Sequence, residues 1–159
     1  MIERKLSAPI DRVYALLTNA TWLEQRSLDL GELSATVRTE KTVKGASNSM
    51  QRRIKRDVPA FVAKILKPEA DMALEESWTP HKGGYIGSLT LDLAGQPITI
   101  TADFSLRGEG QGCIYSIQHK AKCSVPLIGA AVEKFALGQV ENGCSDELDY
   151  LEKHLQQNR

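Results

Sequence analysis

Two titratable side chains interrupt otherwise apolar alternating stripes. His119 stands among Cys113, Tyr115, Ile117, Ala121 and Cys123, and Glu76 among Met72, Leu74 and Trp78. On a strand, residues two apart share a face. Both groups then point where their neighbours point, toward apolar surroundings. A histidine there can hold the polar head of a ligand or act as a general base. The commoner case is a core histidine bonded to a neighbour. A carboxylate there is pushed up in pKa by burial and becomes a candidate acid or base. The commoner outcome for Glu76 is the opposite facing, because a one-residue register slip reverses every side chain, or an ion pair with a basic neighbour. Tyr85 and Tyr115 offer hydroxyls to the same space, although aromatic residues at such positions more often fill a core.

Other chemistry-bearing patterns are weaker. Gln51-Arg52-Arg53-Ile54-Lys55-Arg56 is the densest basic run. On a strand its charges fall on both faces, so Arg52 or Arg53 can reach inward and hold an anionic head group. The commoner reading is a solvated edge strand whose charges oppose edge-to-edge pairing. Arg107-Gly108-Glu109-Gly110-Gln111-Gly112 lacks the Gly-Lys-Ser/Thr ending of a phosphate loop and reads as a hairpin turn. Nucleophile elbows, paired metal-binding histidines and nucleotide fingerprints are absent. Cys113, Cys123 and Cys144 form no Cys-x-x-Cys pair and read as small core fillers. No catalytic residue is assigned, and neither a metal nor a cofactor is expected.

The totals limit partners. The 159 residues suit one domain over 1–159. Lys plus Arg and Asp plus Glu are 20 each, so no global basic field holds nucleic acid. No apolar run approaches the roughly 20 residues of a membrane span, and the first residues carry no hydrophobic signal core. The expectation is a cytoplasmic protein without stable membrane insertion; its oligomeric state is left open.

The elements that must position these residues are mostly strands. Residues 2–7 read as a first strand. Pro9 and Asp11 start a short helix, and Thr21-Trp22-Leu23-Glu24 fits a capping box for a second. Strands follow at 32–40 and 47–57 around Val43-Lys44-Gly45, then at 71–79. After turns at Lys82-Gly83-Gly84 and Ala94-Gly95-Gln96-Pro97, Ile98, Ile100, Ala102, Phe104 and Leu106 alternate with Thr99, Thr101, Asp103, Ser105 and Arg107. That period of two marks a sheet with one buried face. Residues 58–66, apolar and bracketed by Pro59 and Pro68, read as a helical turn or two. They form a flap that packs down as a lid or exposes Phe61, Val62, Ile65 and Leu66 as a gate. From Ile128 to Leu155 apolar residues recur at helical steps. Gly129, Ala136 and Gly143, seven apart on that helix, imply either close approach to the sheet or open space.

This order of elements resembles the START-like (SRPBCC, helix-grip) superfamily. Ser7-Ala8-Pro9-Ile10-Asp11-Arg12-Val13-Tyr14-Ala15-Leu16-Leu17 is similar to its common opening. Val58-Pro59-Ala60-Phe61-Val62, Glu76-Ser77-Trp78 and Val125-Pro126-Leu127-Ile128-Gly129 with Glu133-Lys134 resemble a bacterial branch of unknown function. The resemblance implies an α+β helix-grip fold: a curved antiparallel sheet of about seven strands around a long C-terminal helix, with two short helices after the first strand. It also implies a cavity for a small hydrophobic molecule such as a lipid, quinone or isoprenoid. Expected ligand-binding residues are Leu89, Leu91, Ile100, Phe104, Tyr115, Ile117, Val132, Phe135, Val140 and Phe61, with His119 and Glu76 as the polar contacts. Two alternatives stay open: a cyclase- or hydrolase-like enzyme using His119 or Glu76, and a protein-interaction module with a filled core.

Overall fold

Among residues 1–158, which this computed structural model describes, the chain forms seven strands and three helices. In chain order they are β1 (Ile2–Leu6), α1 (Ile10–Leu17), α2 (Ala20–Asp29), β2 (Ser34–Thr42), β3 (Gly45–Lys55), β4 (Glu69–His81), β5 (Gly84–Leu93), β6 (Ile98–Glu109), β7 (Gly112–Cys123) and α3 (Gly129–Gln157). The strands form one curved antiparallel sheet in the order β1-β7-β6-β5-β4-β3-β2. Consecutive hairpins account for β2 to β7, and β1 pairs with β7. The edges are therefore β1 and β2, and the basic strand β3 is interior.

Alternation sets the facing of each strand. Along β6, Ile98, Ile100, Ala102, Phe104 and Leu106 are buried, while Thr99, Thr101, Asp103 and Arg107 are exposed. Two-residue loops set the register of two hairpins. Lys82 and Gly83, at φ 49 and 79, close β4 onto β5, as a loop with both central residues left-handed must. Val43-Lys44 closes β2 onto β3, and a Cβ on the following Gly45 would collide with the Trp78 carbonyl.

The helix starts differ in detail from the sequence reading. Asn19, not Thr21, caps α2: its Oδ1 accepts from Trp22 N–H at 3.0 Å. The expected capping-box partner Glu24 reaches across instead and accepts from Val37 N–H at 2.8 Å, tying α2 to the edge strand β2. Residues 59–66 form successive turns rather than a regular helix. Val62 and Leu66 are buried there, while Phe61 is 56% exposed.

Helix α3 is held firmly at both ends. Near its start Glu133 accepts from Cys123 N–H at 2.9 Å. Near its end Arg4 of β1 pairs with Asp149 at 2.8 Å and Glu152 at 2.7 Å. Arg12 of α1 donates to the last-turn carbonyls of Leu155 and Asn158, and Trp22 of α2 donates to His154 at 3.3 Å. Leu148, Leu151 and Leu155 seal the contact beneath these polar ties.

Candidate functional site

Between those two anchored ends the helix does not fill the space beneath it. Its inward side there carries Ala136 and Cys144, both small. The result is a cavity of about 310 Å³ between α3 and the sheet. The sheet contributes Leu74, Leu91 and Ile100, which form one cross-strand row, with Leu89 and Ile117 beside them. The helix contributes Phe135 and Val140. One end is plugged by aromatic rings. Trp78 packs on Phe104 at 4.4 Å between centroids, and Tyr14 stacks on Tyr85 at 3.6 Å beyond it. The exposed lining residues Leu30, Gly31, Lys55, Gln139, Gly143 and Asp146 mark the opposite, open side.

A charged network borders that opening. Arg52 Nε donates to both oxygens of Glu32 at 2.8 and 2.9 Å, and its Nη2 donates to Glu147 at 3.3 Å. Arg26 meets the same Glu147 oxygen at 3.0 Å. The network joins α2, the segment after it, β3 and α3. Burial pulls the Arg52 guanidinium down, but Glu147 and Glu32 more than offset this and hold it above its ordinary range. The expected solvated edge-strand role for this arginine is thereby corrected: β3 is flanked on both sides, and Arg52 is enclosed. Arg53, on the outer face, pairs with Asp71 and Glu69.

Glu76 faces inward, which corrects the expectation of the opposite facing. Its row-mate Asn48 donates to it at 2.8 Å and to the Leu17 carbonyl at 2.9 Å. Burial pushes the Glu76 carboxyl up; the Asn48 hydrogen bond and the Arg26 charge pull it down less strongly. Tyr115 shares this wall, and burial, with the Glu76 charge added, pushes its hydroxyl well above the ordinary range. His119 is buried and lines the cavity, but its Nδ1 has no hydrogen-bond partner among the described residues. The expected neighbour-satisfied core histidine is corrected accordingly. Burial lowers its pKa, so the ring is held neutral.

The structure brings together Glu76, His119, Tyr115, Ile117, Leu89, Leu91, Ile100, Phe104, Phe135 and Val140 around one cavity. Two expected residues lie elsewhere. Val132 is wholly buried near the anchored start of α3, where the helix already touches the sheet. Phe61 projects from the turn segment into solvent, because Val62 and Leu66 take the inward positions. Tyr85 is also displaced: it lies beyond Trp78, where its hydroxyl donates to Asp11 at 3.3 Å. All three cysteines are buried and free among the described residues, and Cys144 lines the cavity with its thiol pushed up to about 12 by burial.

Sequence reasoning missed Arg26, Glu32, Glu147 and Arg56 as lining residues. For Arg56 a signal existed. Met50, Arg52, Ile54 and Arg56 have one parity, and the buried Met50 shows which face it is. Arg26 and Glu147 carry no such signal, since their meeting depends on how two helices lie across the sheet. No group of three metal-ligating side chains gathers among the described residues. No helix among them is long and apolar enough to cross a membrane.

Fold and cavity together define a helix-grip α+β protein. The chain belongs to the family described as protein of unknown function DUF2505, whose model matches residues 1–155. Several solved structures share the architecture. The protein TTHA0849 from Thermus thermophilus aligns with a TM-score of 0.67 at 16% identity, over 98% of this chain and 94% of its own. Protein Ms6760 from Mycobacterium smegmatis aligns with a TM-score of 0.62 at 12% identity, over 99% and 90%. Ara h 8.0201 aligns with a TM-score of 0.55 at 11% identity, over 99% and 96%. At these identities the likeness is one of fold. A comparison with the curated proteins gives no match.

Proposed function

We propose that residues 1–159 form one START-like unit that takes up a small hydrophobic molecule of lipid, quinone or isoprenoid type. The observation that carries this reading is the cavity itself. It lies beneath a helix tied down at both ends, so α3 is not free to collapse into it, and its volume of about 310 Å³ lies within the roughly 300–1,000 Å³ range of small-molecule sites. Binding is driven by desolvation: each 100 Å² of apolar ligand surface leaving water contributes about 2.5 kcal/mol. Leu74, Leu89, Leu91 and Ile100 supply the apolar floor, and His119 supplies a polar contact whose Nδ1 lacks a partner among the described residues. The open volume counts against a module with a filled core.

The test is native mass spectrometry of protein purified from its own host, followed by organic extraction. A stoichiometric apolar compound is the expected result. Protein that stays apo after purification and after incubation with candidate lipids, quinones and isoprenoids overturns the reading.

One observation favours an enzyme of cyclase or hydrolase type as a second reading: a carboxyl with raised pKa, Glu76, faces the same cavity. In that case the acid acts alone rather than as a dyad with His119. A pH–rate profile that survives both Glu76→Gln and His119→Ala removes it.

A further inference from the structure

Arg56 is the one guanidinium at the cavity whose charge the described part of the chain leaves unbalanced. It follows β3, pinned by a backbone bond from its N–H to the Pro68 carbonyl at 2.8 Å. Its side chain lines the cavity beside Leu66 and Ile54. Both Nε and Nη2 are out of contact with water and have no hydrogen-bond partner among the described residues. The other two arginines of the site behave differently, since Arg26 and Arg52 share Glu147 and Arg52 also holds Glu32. Arg53, three residues earlier, is doubly paired on the outer face. Burial lowers the pKa of Arg56, and no carboxylate offsets it. Arg56 is half-buried, and a guanidinium whose Nε and Nη2 leave water without gaining a partner is destabilised, while its planar fork of donors matches a carboxylate or phosphate oxygen pair.

We infer that Arg56 is the anchor for the anionic head of an amphiphilic ligand, a carboxylate or a phosphate, whose apolar body occupies the cavity. The inference rests on the proposed binding role and adds the charge of the ligand to it. The head sits at the open end, between the turn segment and the end of β3. The tail runs over Met72, Leu91 and Ile100 toward the aromatic plug.

The experiment compares dodecanoate, dodecyl phosphate and dodecanol by isothermal titration calorimetry on the wild type, Arg56→Met and Arg56→Lys. Either anion is expected to bind the wild type about tenfold or more tightly than the alcohol, and the tighter of the two names the head group. Arg56→Met is expected to abolish that preference, read as the ratio of anion to dodecanol affinity within each variant, and Arg56→Lys to restore part of it. The Met variant should melt no lower than the wild type, since it loses a half-buried charge that no carboxylate offsets. Equal affinity for anions and alcohol overturns the inference and leaves the binding role standing. So does an anion preference that survives Arg56→Met. Binding of none of the three probes overturns the inference, and the native mass spectra with quinones and isoprenoids then decide the binding role.

Discussion

Glu76 and His119 stand in one cross-strand row of the sheet, with Leu89 and Ala102 between them. Three interstrand steps, about 14 Å along the sheet, separate the two groups. They face one cavity but do not form an acid–base pair. Burial moves both pKa values toward the neutral form, Glu76 up and His119 down. Their effects on stability therefore appear on opposite sides of neutrality.

For Glu76, the folded state favours the protonated carboxyl. Its contribution is fully present below the unfolded pKa of about 4.3 and is lost as pH rises through the higher folded value. Glu76→Gln keeps an acceptor for Asn48 and removes the charge. Thermal melts should show the variant gaining on the wild type between pH 4 and pH 8, with roughly 2–4 °C for each kcal/mol. A pH-independent difference would contradict the assignment.

For His119, the folded state favours the neutral ring. That contribution is present above the unfolded pKa of about 6.5 and is lost as pH falls through the lower folded value. His119→Leu removes both the titration and an unsatisfied buried nitrogen, whose desolvation costs about 1–3 kcal/mol. Chemical denaturation at pH 7 should find the variant more stable by about 1 kcal/mol, and the gap should widen below pH 6. A less stable variant at both values would mean that the nitrogen has a partner in solution.

Glu147 is the shared acceptor of Arg26 and Arg52. Glu147→Ala leaves the buried Arg26 without an ion-pair partner among the described residues and should cost about 3 kcal/mol. Glu32→Ala should cost less, since Arg52 keeps Glu147. Urea midpoints of the two variants decide the order, and equal losses would refute the network as drawn.

Two glycines should respond in opposite directions to the same substitution. A Cβ on Gly143 meets nothing within 4 Å among the described residues, and Gly143 lines the cavity. Gly143→Ala should stabilise by about 1 kcal/mol through helix propensity, while Gly143→Leu should fill the opening and abolish ligand retention in native mass spectra. A Cβ on Gly87 collides with the Phe104 ring and the Ser77 carbonyl. Gly87→Ala should therefore cost about 1–3 kcal/mol by overpacking. Melting curves of the alanine pair test both signs at once.

Much of this was legible in the residues. The alternation of β6 places an inward face, because a strand's period of two is a local property. The helical spacing from Val132 to Leu155 does the same for α3. For the stripe Met72, Leu74, Glu76, Trp78 the period was legible and the facing of Glu76 was not. The start of α2 is misleading in sequence because Thr21-Trp22-Leu23-Glu24 satisfies the capping-box pattern, and only the position of Val37 shows that Glu24 is bound elsewhere. Gly129, Ala136 and Gly143 look alike in sequence. A Cβ on Gly129 would press on the Cys123 carbonyl at 3.1 Å, whereas one on Gly143 would enter open space.

The sequence by itself determined the order of elements and the alternation along most strands, since these follow from local periodicity and turn chemistry; the helix-grip architecture is what that order resembles. Tertiary structure alone decided that α3 is anchored at its ends and stands clear of the sheet in the middle. It also decided that Arg52 is neutralised while Arg56 is not, and that Glu76 and His119 share a row without touching. Those outcomes depend on distances between elements far apart in the chain. Pairing, packing and burial are set by how the helices cross the sheet, which no local pattern encodes.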